Sequence, residues 1–177
     1  MQSIKTPPRT IMEVFQMLPE GTLAELINGT IYMSPAPTTH HQTTILDMSV
    51  VLSTYVKQHK TGRIFIAACD VYLDEHTNAL QPDIIFVSSK KSEIITESGI
   101  HGIPDLVIEV LSPGNSEHDT ITKKALYEKF GVQEYWIVNP KTKETIGYSL
   151  KENQYISIGQ FIGKIHSTLL DNQAFEF

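Results

Sequence analysis

Asp105-Leu-Val-Ile-Glu109-Val-Leu-Ser-Pro-Gly-Asn115 is the stretch on which the reading of this chain turns. Asp105 to Leu111 reads as a buried strand, short and apolar, preceded by Ile103-Pro104 and stopped by Ser112-Pro113-Gly114. Glu109 stands in its middle, among Val107, Ile108, Val110 and Leu111. A carboxylate there loses most of its hydration, a large cost unless a cation, a hydrogen-bond network or a bound proton compensates. A second stretch has the same oddity. Gln81-Pro-Asp83-Ile-Ile-Phe-Val87 sets Asp83 at the entrance of another apolar strand. Two carboxylates on two core strands suggest a shared cation.

The rest of the chain bounds what that cation can serve. Its 177 residues suffice for a single domain with one core, and no repeat, low-complexity tract or linker divides 1–177. Hydrophobic residues make up 41% and charged ones 19%, which excludes disordered, collagen-like and coiled-coil classes. A single cysteine, Cys69, excludes an internal disulfide framework and a zinc site of several thiolates, and suits a reducing, cytoplasmic setting. No long apolar segment follows Met1 to Arg9, so neither a signal peptide nor a membrane span is expected. The net charge of -6 argues against tight, non-specific binding to nucleic acid, which rewards a basic surface. Such binding would need a local basic surface or metal ions.

Taken in order, Thr10 to Leu18 carries Ile11, Val14, Phe15 and Leu18 at helical spacing. Asn28-Gly29 between two short apolar runs then predicts an N-terminal β-hairpin, closed by Ser34-Pro-Ala-Pro37. Glu25 alternates with Leu23 and Ile27 and shares their face; an edge-strand carboxylate in solvent is the equally simple reading. Thr39 to about Lys60 predicts a long amphipathic helix with Ile45, Met48, Leu52, Tyr55 and Val56 on one stripe. His40 and His41 fall in its first turn, where a histidine is by default solvated or locally hydrogen-bonded. Gly62 to Leu73 reads as one strand, bent near Cys69, and Lys90-Lys91 as a solvated face. Glu117-His-Asp119 opens a helix running to Phe130 and stopped by Gly131. On it Asp119, Lys123 and Tyr127 form one stripe, which is either a surface ion pair with an aromatic neighbour or a lysine turned back toward the strand ends. Glu134 to Pro140 predicts a further strand, and Thr145 to Leu150 with Tyr155 to Ile158 a hairpin. Ile165 and Leu169-Leu170 mark a weakly patterned last strand or a cover for the sheet.

Several chemistries have no motif here. The chain lacks a phosphate-cradling glycine loop with Lys-Ser/Thr, a Gly-x-Gly-x-x-Gly turn and a Gly-x-Ser-x-Gly elbow. Cys69, unpartnered in an apolar strand, reads as core. What remains is Asp83, Glu109 and a lysine close behind, a set sufficient for phosphodiester hydrolysis. Carboxylates hold Mg²⁺ or Mn²⁺, the ion acidifies a bound water and screens the phosphate, and a lysine orients the water.

The ordered motifs Glu25-Leu-Ile-Asn-Gly29, Ser34-Pro-Ala-Pro37, His41, Gln81-Pro-Asp83, Pro104-Asp-Leu-Val-Ile-Glu-Val-Leu-Ser-Pro113, Asp119, Lys123, Tyr127 and Gly131-Val-Gln-Glu-Tyr-Trp136 go further. Together they resemble the Uma family of bacterial proteins classed as endonucleases, within the PD-(D/E)XK, restriction-endonuclease-like superfamily. The resemblance implies an α/β fold with a central mixed sheet flanked by helices. It implies a Mg²⁺-dependent (or Mn²⁺-dependent) endonuclease acting on DNA. Asp83 and Glu109 would be metal ligands, the Val110 carbonyl a third, and Glu25 an acidic residue that helps arrange the site. The lysine expected two positions after the glutamate is Leu111 in this chain, so that role passes to Lys123, with Lys124 as the neighbouring possibility. His41, Gln81 and Tyr127 match supporting positions. Nucleases of this fold are often dimers, so a homodimer is an expectation. A hydrolase of a small phosphate ester would carry the same ligand set. The rival from another class is a non-catalytic dimerisation or regulatory module on the same scaffold, favoured by the acidic charge and by Leu111.

Overall fold

The computed structural model describes residues 7–112 and 118–177. The turn expected at Pro113-Gly114 and the helix start expected at Glu117 lie outside them.

Helix α1 (Ile11–Gln16) begins at Thr10, whose hydroxyl accepts the Glu13 amide at 3.1 Å. Strands β1 (Ala24–Ile27) and β2 (Thr30–Met33) form the expected hairpin. Asn28 and Gly29 turn it with φ of 49° and 78°, the left-handed pair that a two-residue hairpin requires. Helix α2 (Thr39–His59) starts at the Thr38 cap and buries Ile45, Met48, Leu52 and Val56. Then come β3 (Gly62–Ile66), β4 (Val71–Tyr72), β5 (Ala79–Leu80) and β6 (Ile84–Ser88). A 3-10 turn, Ser89–Ile94, leads to β7 (Ile95–Thr96), β8 (Gly99–His101) and β9 (Leu106–Val110). A π-helical segment, His118–Lys123, runs into α3 (Lys124–Phe130), which Gly131 ends with φ 89°. Strands β10 (Glu134–Val138), β11 (Glu144–Lys151), β12 (Gln154–Ile162), β13 (Lys164–Ser167) and β14 (Gln173–Glu176) complete the order.

The central sheet runs β12-β11-β10-β9-β6-β3, mixed because β9 and β10 are parallel while the other neighbours are antiparallel. A second six-stranded sheet runs β2-β1-β5-β4-β8-β7, and β13 pairs with β14. Alternation divides the central sheet into two cores. Even-numbered Ile84, Phe86, Leu106, Ile108 and Val110 pack with α2 and the C-terminal strands. Odd-numbered Ile85, Val87 and Val107 face Leu126 and Tyr127 of α3 and Ile27 of β1. Glu109 has the parity of this second face, so it enters the layer between α3 and the hairpin.

Three expectations are corrected. The stretch from Gly62 to Leu73 is two strands in different sheets. The Ala67 amide still bonds the Asp83 carbonyl at 3.1 Å, but four residues on Val71 pairs with Leu80 instead. β1 lies between β2 and β5 rather than at an edge, so Glu25 is buried and not a solvated edge carboxylate. Of the two readings for Leu169-Leu170 the cover holds: both sit in the connection between β13 and β14, where buried Leu170 plugs the α2-side core. Lys91, expected to be solvated, pairs with Asp105 at 2.9 Å and donates to the Ile103 carbonyl.

Candidate functional site

The antiparallel register of β6 and β9 sets Ile84 opposite Ile108. Asp83 immediately precedes β6 and Glu109 follows Ile108 in β9, so the two acids lie at the same end of neighbouring strands and line one cleft. The sheet therefore delivers both carboxylates to one place. β1 brings Glu25, and the helical segment after β9 brings Lys123 and Tyr127. All four charged residues are buried: Glu25 is 6% exposed, Asp83 8%, Glu109 3% and Lys123 6%.

Lys123 Nζ lies 2.9 Å from Glu25 Oε1 and 3.1 Å from Glu109 Oε2. Tyr127 donates its hydroxyl to Glu109 Oε1 at 2.7 Å, so both oxygens of the mid-strand glutamate meet protein donors. Burial, with Glu109 and Glu25 beside it, pushes the Tyr127 phenol well above its ordinary range and keeps it a donor at neutral pH. The Gln81 amide donates to Glu25 Oε1 at 3.0 Å. On the other side, Asp83 Oδ2 accepts the Val110 amide at 2.7 Å and lies 3.2 Å from His41 Nε2. A carboxylate only accepts, so Nε2 of His41 carries the hydrogen. His41 is buried here, contrary to the default for a helix's first turn. It is held where the start of α2 meets the mouth of the sheet.

These residues line one cleft of about 150 Å³, together with Ser34, Pro35, Ala67, Ala68 and Ser112. Every sequence-predicted site residue, Glu25, His41, Gln81, Asp83, Glu109, Val110, Lys123 and Tyr127, lies in this cleft or bonds directly to a residue that does. Lys124 does not. Its ammonium lies 4.0 Å over the Tyr148 ring instead. The side chain of Asp119 lies outside the described residues. Cys69 lines a different cavity, and burial followed by the Asp70 charge pushes its thiol up, away from the reactive thiolate.

The carboxylates of Glu25, Asp83 and Glu109 line the cleft and Lys123 pairs with two of them, so the donors are oxygens of the kind that Mg²⁺ and Mn²⁺ prefer. Among the described residues, Glu25 Oε2 and Asp83 Oδ1 take no hydrogen bond, unlike their sister oxygens. No group of three or more histidine, cysteine, aspartate or glutamate side chains forms a ready cage among the described residues. Mg²⁺ does not need one, since it keeps several waters and is commonly held through one or two carboxylates.

Sequence reasoning missed one residue that shapes the site. Asp70 Oδ1 accepts Gln81 Nε2 at 2.8 Å, and the same Nε2 donates to the Thr22 carbonyl at 3.1 Å. Gln81 is thereby locked with its amide aimed at Glu25. The chain's only signal was a charged residue directly after Cys69 in an apolar run.

A mixed sheet with carboxylates at the same end of adjacent strands, a buried lysine beside them and flanking helices is the restriction-endonuclease-like α/β fold that the resemblance implies. Residues 12–167 match the model of the Uma2 family, described as "Putative restriction endonuclease", and the chain belongs to that family. A crystal structure described as that of "a putative nuclease belonging to DUF820 from Anabaena variabilis" is similar, with a TM-score of 0.67, 22% identity and coverage of 85% of this chain and 84% of that one. At that identity the likeness is one of fold. No curated protein matches the chain.

Proposed function

We propose that this protein is a Mg²⁺- or Mn²⁺-dependent endonuclease that hydrolyses phosphodiester bonds in DNA. The carrying observation is the meeting of Asp83, Glu109, Glu25 and Lys123 in one cleft, from four separate parts of the chain. The family description and that of the structural neighbour support a nuclease-like activity.

Asp83 and Glu109 would hold the ion, with the Val110 carbonyl as a third ligand. When bound, the ion acidifies a coordinated water and offsets charge on the phosphate. The chain's own residues do the positioning. His41 and the Val110 amide hold Asp83 through Oδ2, which leaves its other oxygen for the ion. Tyr127 and Lys123 fix Glu109 from both sides. The Lys123 ammonium, held between two carboxylates, is the cation placed to orient an attacking water or screen a phosphate oxygen. Glu25 keeps that ammonium in place, and Gln81 keeps Glu25 in place. The net charge of -6 makes the ion part of substrate capture as well as of chemistry, because DNA otherwise meets a repulsive surface.

Nicking of supercoiled plasmid in Mg²⁺ or Mn²⁺ tests the reading. Asp83→Ala and Glu109→Gln should abolish nicking while the protein stays folded. Nicking that persists unchanged in a clean Asp83→Ala preparation refutes the assignment.

One observation favours a second reading, a non-catalytic module. Lys123 and Tyr127 together already engage Glu25 Oε1 and both oxygens of Glu109, so the mid-strand glutamate has its partners without an ion. A folded protein that binds neither Mg²⁺ nor Mn²⁺ supports that reading.

A further inference from the structure

A second cavity, of about 590 Å³, adjoins the cleft, and Ala68 and Gln81 line both. Gln81 is the partition: its backbone amide holds Glu25 on one side, and its side chain bonds Asp70 and the Thr22 carbonyl on the other. The volume is in the range of a small-molecule site. Its walls have two characters. Phe15, Phe65 and Tyr72 supply aromatic surface. Asp70, Glu20 and Glu97 supply carboxylates, and no lysine, arginine or histidine lines it among the described residues.

That chemistry repels a phosphate and accepts a flat ring bearing N–H donors. Asp70 is the best-placed acceptor. Its Oδ1 is fixed by Gln81, and its Oδ2 lies 3.4 Å from the Tyr72 hydroxyl. Tyr72 in turn stacks on His101, with ring centroids 4.3 Å apart, so the wall is braced from behind. A carboxylate reads an exocyclic amine of cytosine, or the corresponding donors of adenine and guanine, whereas thymine offers only an N3–H flanked by two carbonyl oxygens that repel it.

We propose that this cavity holds one unpaired, amino-bearing nucleobase of the nucleotide next to the phosphodiester presented to Asp83 and Glu109. The identity of the ligand rests on the nuclease reading above. A base inside a duplex stack cannot enter such a cavity, so the substrate class is single-stranded nucleic acid, or duplex with an unpaired or extruded nucleotide beside the cut. Affinity then comes from the base rather than from the backbone, which reconciles an acidic protein with a nucleic-acid substrate.

Phosphate-free deoxynucleosides test the cavity without any cleavage. The intact protein is titrated with deoxycytidine, deoxyadenosine and thymidine, without divalent ions, and followed by NMR of the aromatic side chains. Deoxycytidine and deoxyadenosine should bind, with thymidine weaker by on the order of tenfold. Asp70→Asn should remove that preference, and Phe65→Ala should weaken all three. Asp83→Ala should bind them as wild type does. No binding to wild type up to the solubility limit overturns the proposal, and so does binding that Asp70→Asn and folded Phe65→Ala leave unchanged. If nucleosides bind as expected but no nucleic acid is cut, the nuclease reading fails and the base pocket stands. If DNA is cut as readily with abasic residues as with bases, and nucleosides do not bind, the pocket falls alone.

Discussion

Replacing Lys123 by methionine probes the charge cluster directly. Methionine fills a similar volume, so the change removes the ammonium with little loss of packing. The ammonium contacts Glu25 at 2.9 Å and Glu109 at 3.1 Å, and all three residues are almost wholly buried. Removing one partner of a buried ion pair costs about 3–5 kcal/mol, because the remaining charge keeps its desolvation penalty without its compensation. For a domain of this size each kcal/mol shifts the melting temperature by about 2–4 °C, so the variant should melt on the order of 10 °C lower. Mg²⁺ should raise the melting temperature of Lys123→Met by more than that of wild type, since the ion supplies the missing positive charge. Calorimetric melts with and without Mg²⁺ measure both effects. A loss under about 1 kcal/mol is what an exposed pair would give and would refute the reasoning.

Other consequences are simpler. Tyr127→Phe removes the hydroxyl that Glu109 Oε1 accepts and should destabilise by about 1.5–3 kcal/mol in urea melts, the range for a hydrogen bond to a charged group. Alkaline pH should unfold the protein: burial and the Asp70 charge raise the Tyr72 phenol to about 12, and Tyr127 and Tyr155 are raised too. Their neutral forms favour the fold, so stability is complete below the unfolded value near 10 and is lost between about pH 10 and 12 for Tyr72; melts paired with tyrosinate absorbance follow it. For Asp74, burial raises the carboxyl, but hydrogen bonds from the Asn78 side chain and the Thr77, His76 and Asn78 amides outweigh it and hold the group at about 2. Its contribution is therefore present above about pH 4 and lost as pH falls toward 2, and Asp74→Ala should abolish that part of the acid transition. Asp74→Ala should also loosen the Asn78 Oδ1 bond to the Asn28 amide, which ties the first hairpin to the β4–β5 turn, as faster amide exchange at Asn28 would report.

What the sequence made legible follows from how local each signal was. Asp83 and Glu109 stood out because charged residues in short apolar runs conflict with their surroundings, and both line one cleft at the end of the antiparallel β6 and β9. The hairpin at Asn28-Gly29 was legible because two left-handed residues in succession are a backbone requirement that few side chains meet. Glu25 was ambiguous because a strand's neighbours decide its burial, and β1 acquires β5 as a neighbour from more than fifty residues away. Lys123 was legible only through the family resemblance, since its spacing from Asp119 and Tyr127 equally describes a surface stripe. His41 read as solvated because nothing in the helix shows what its first turn will meet. The break between β3 and β4 was hidden by unbroken apolarity, for a chain can leave one sheet and enter another without a polar residue to mark the change. Glu134 was missed as a structural acid: buried in β10, it accepts the Trp136 indole N–H at 2.7 Å and the amides of Thr168 and Leu169, which fastens the C-terminal segment to the sheet.

Calorimetric titration of Mg²⁺ and Mn²⁺ into the intact protein, beside Asp83→Asn and Glu109→Gln, tests the central claim most directly. Shared ligation of one ion predicts a single saturable site in wild type that is weakened at least about tenfold in each variant, in keeping with a coordinating carboxylate. A wild-type protein that takes up no ion, or variants that bind it as tightly as wild type, would contradict the claim that these two acids grip a divalent cation.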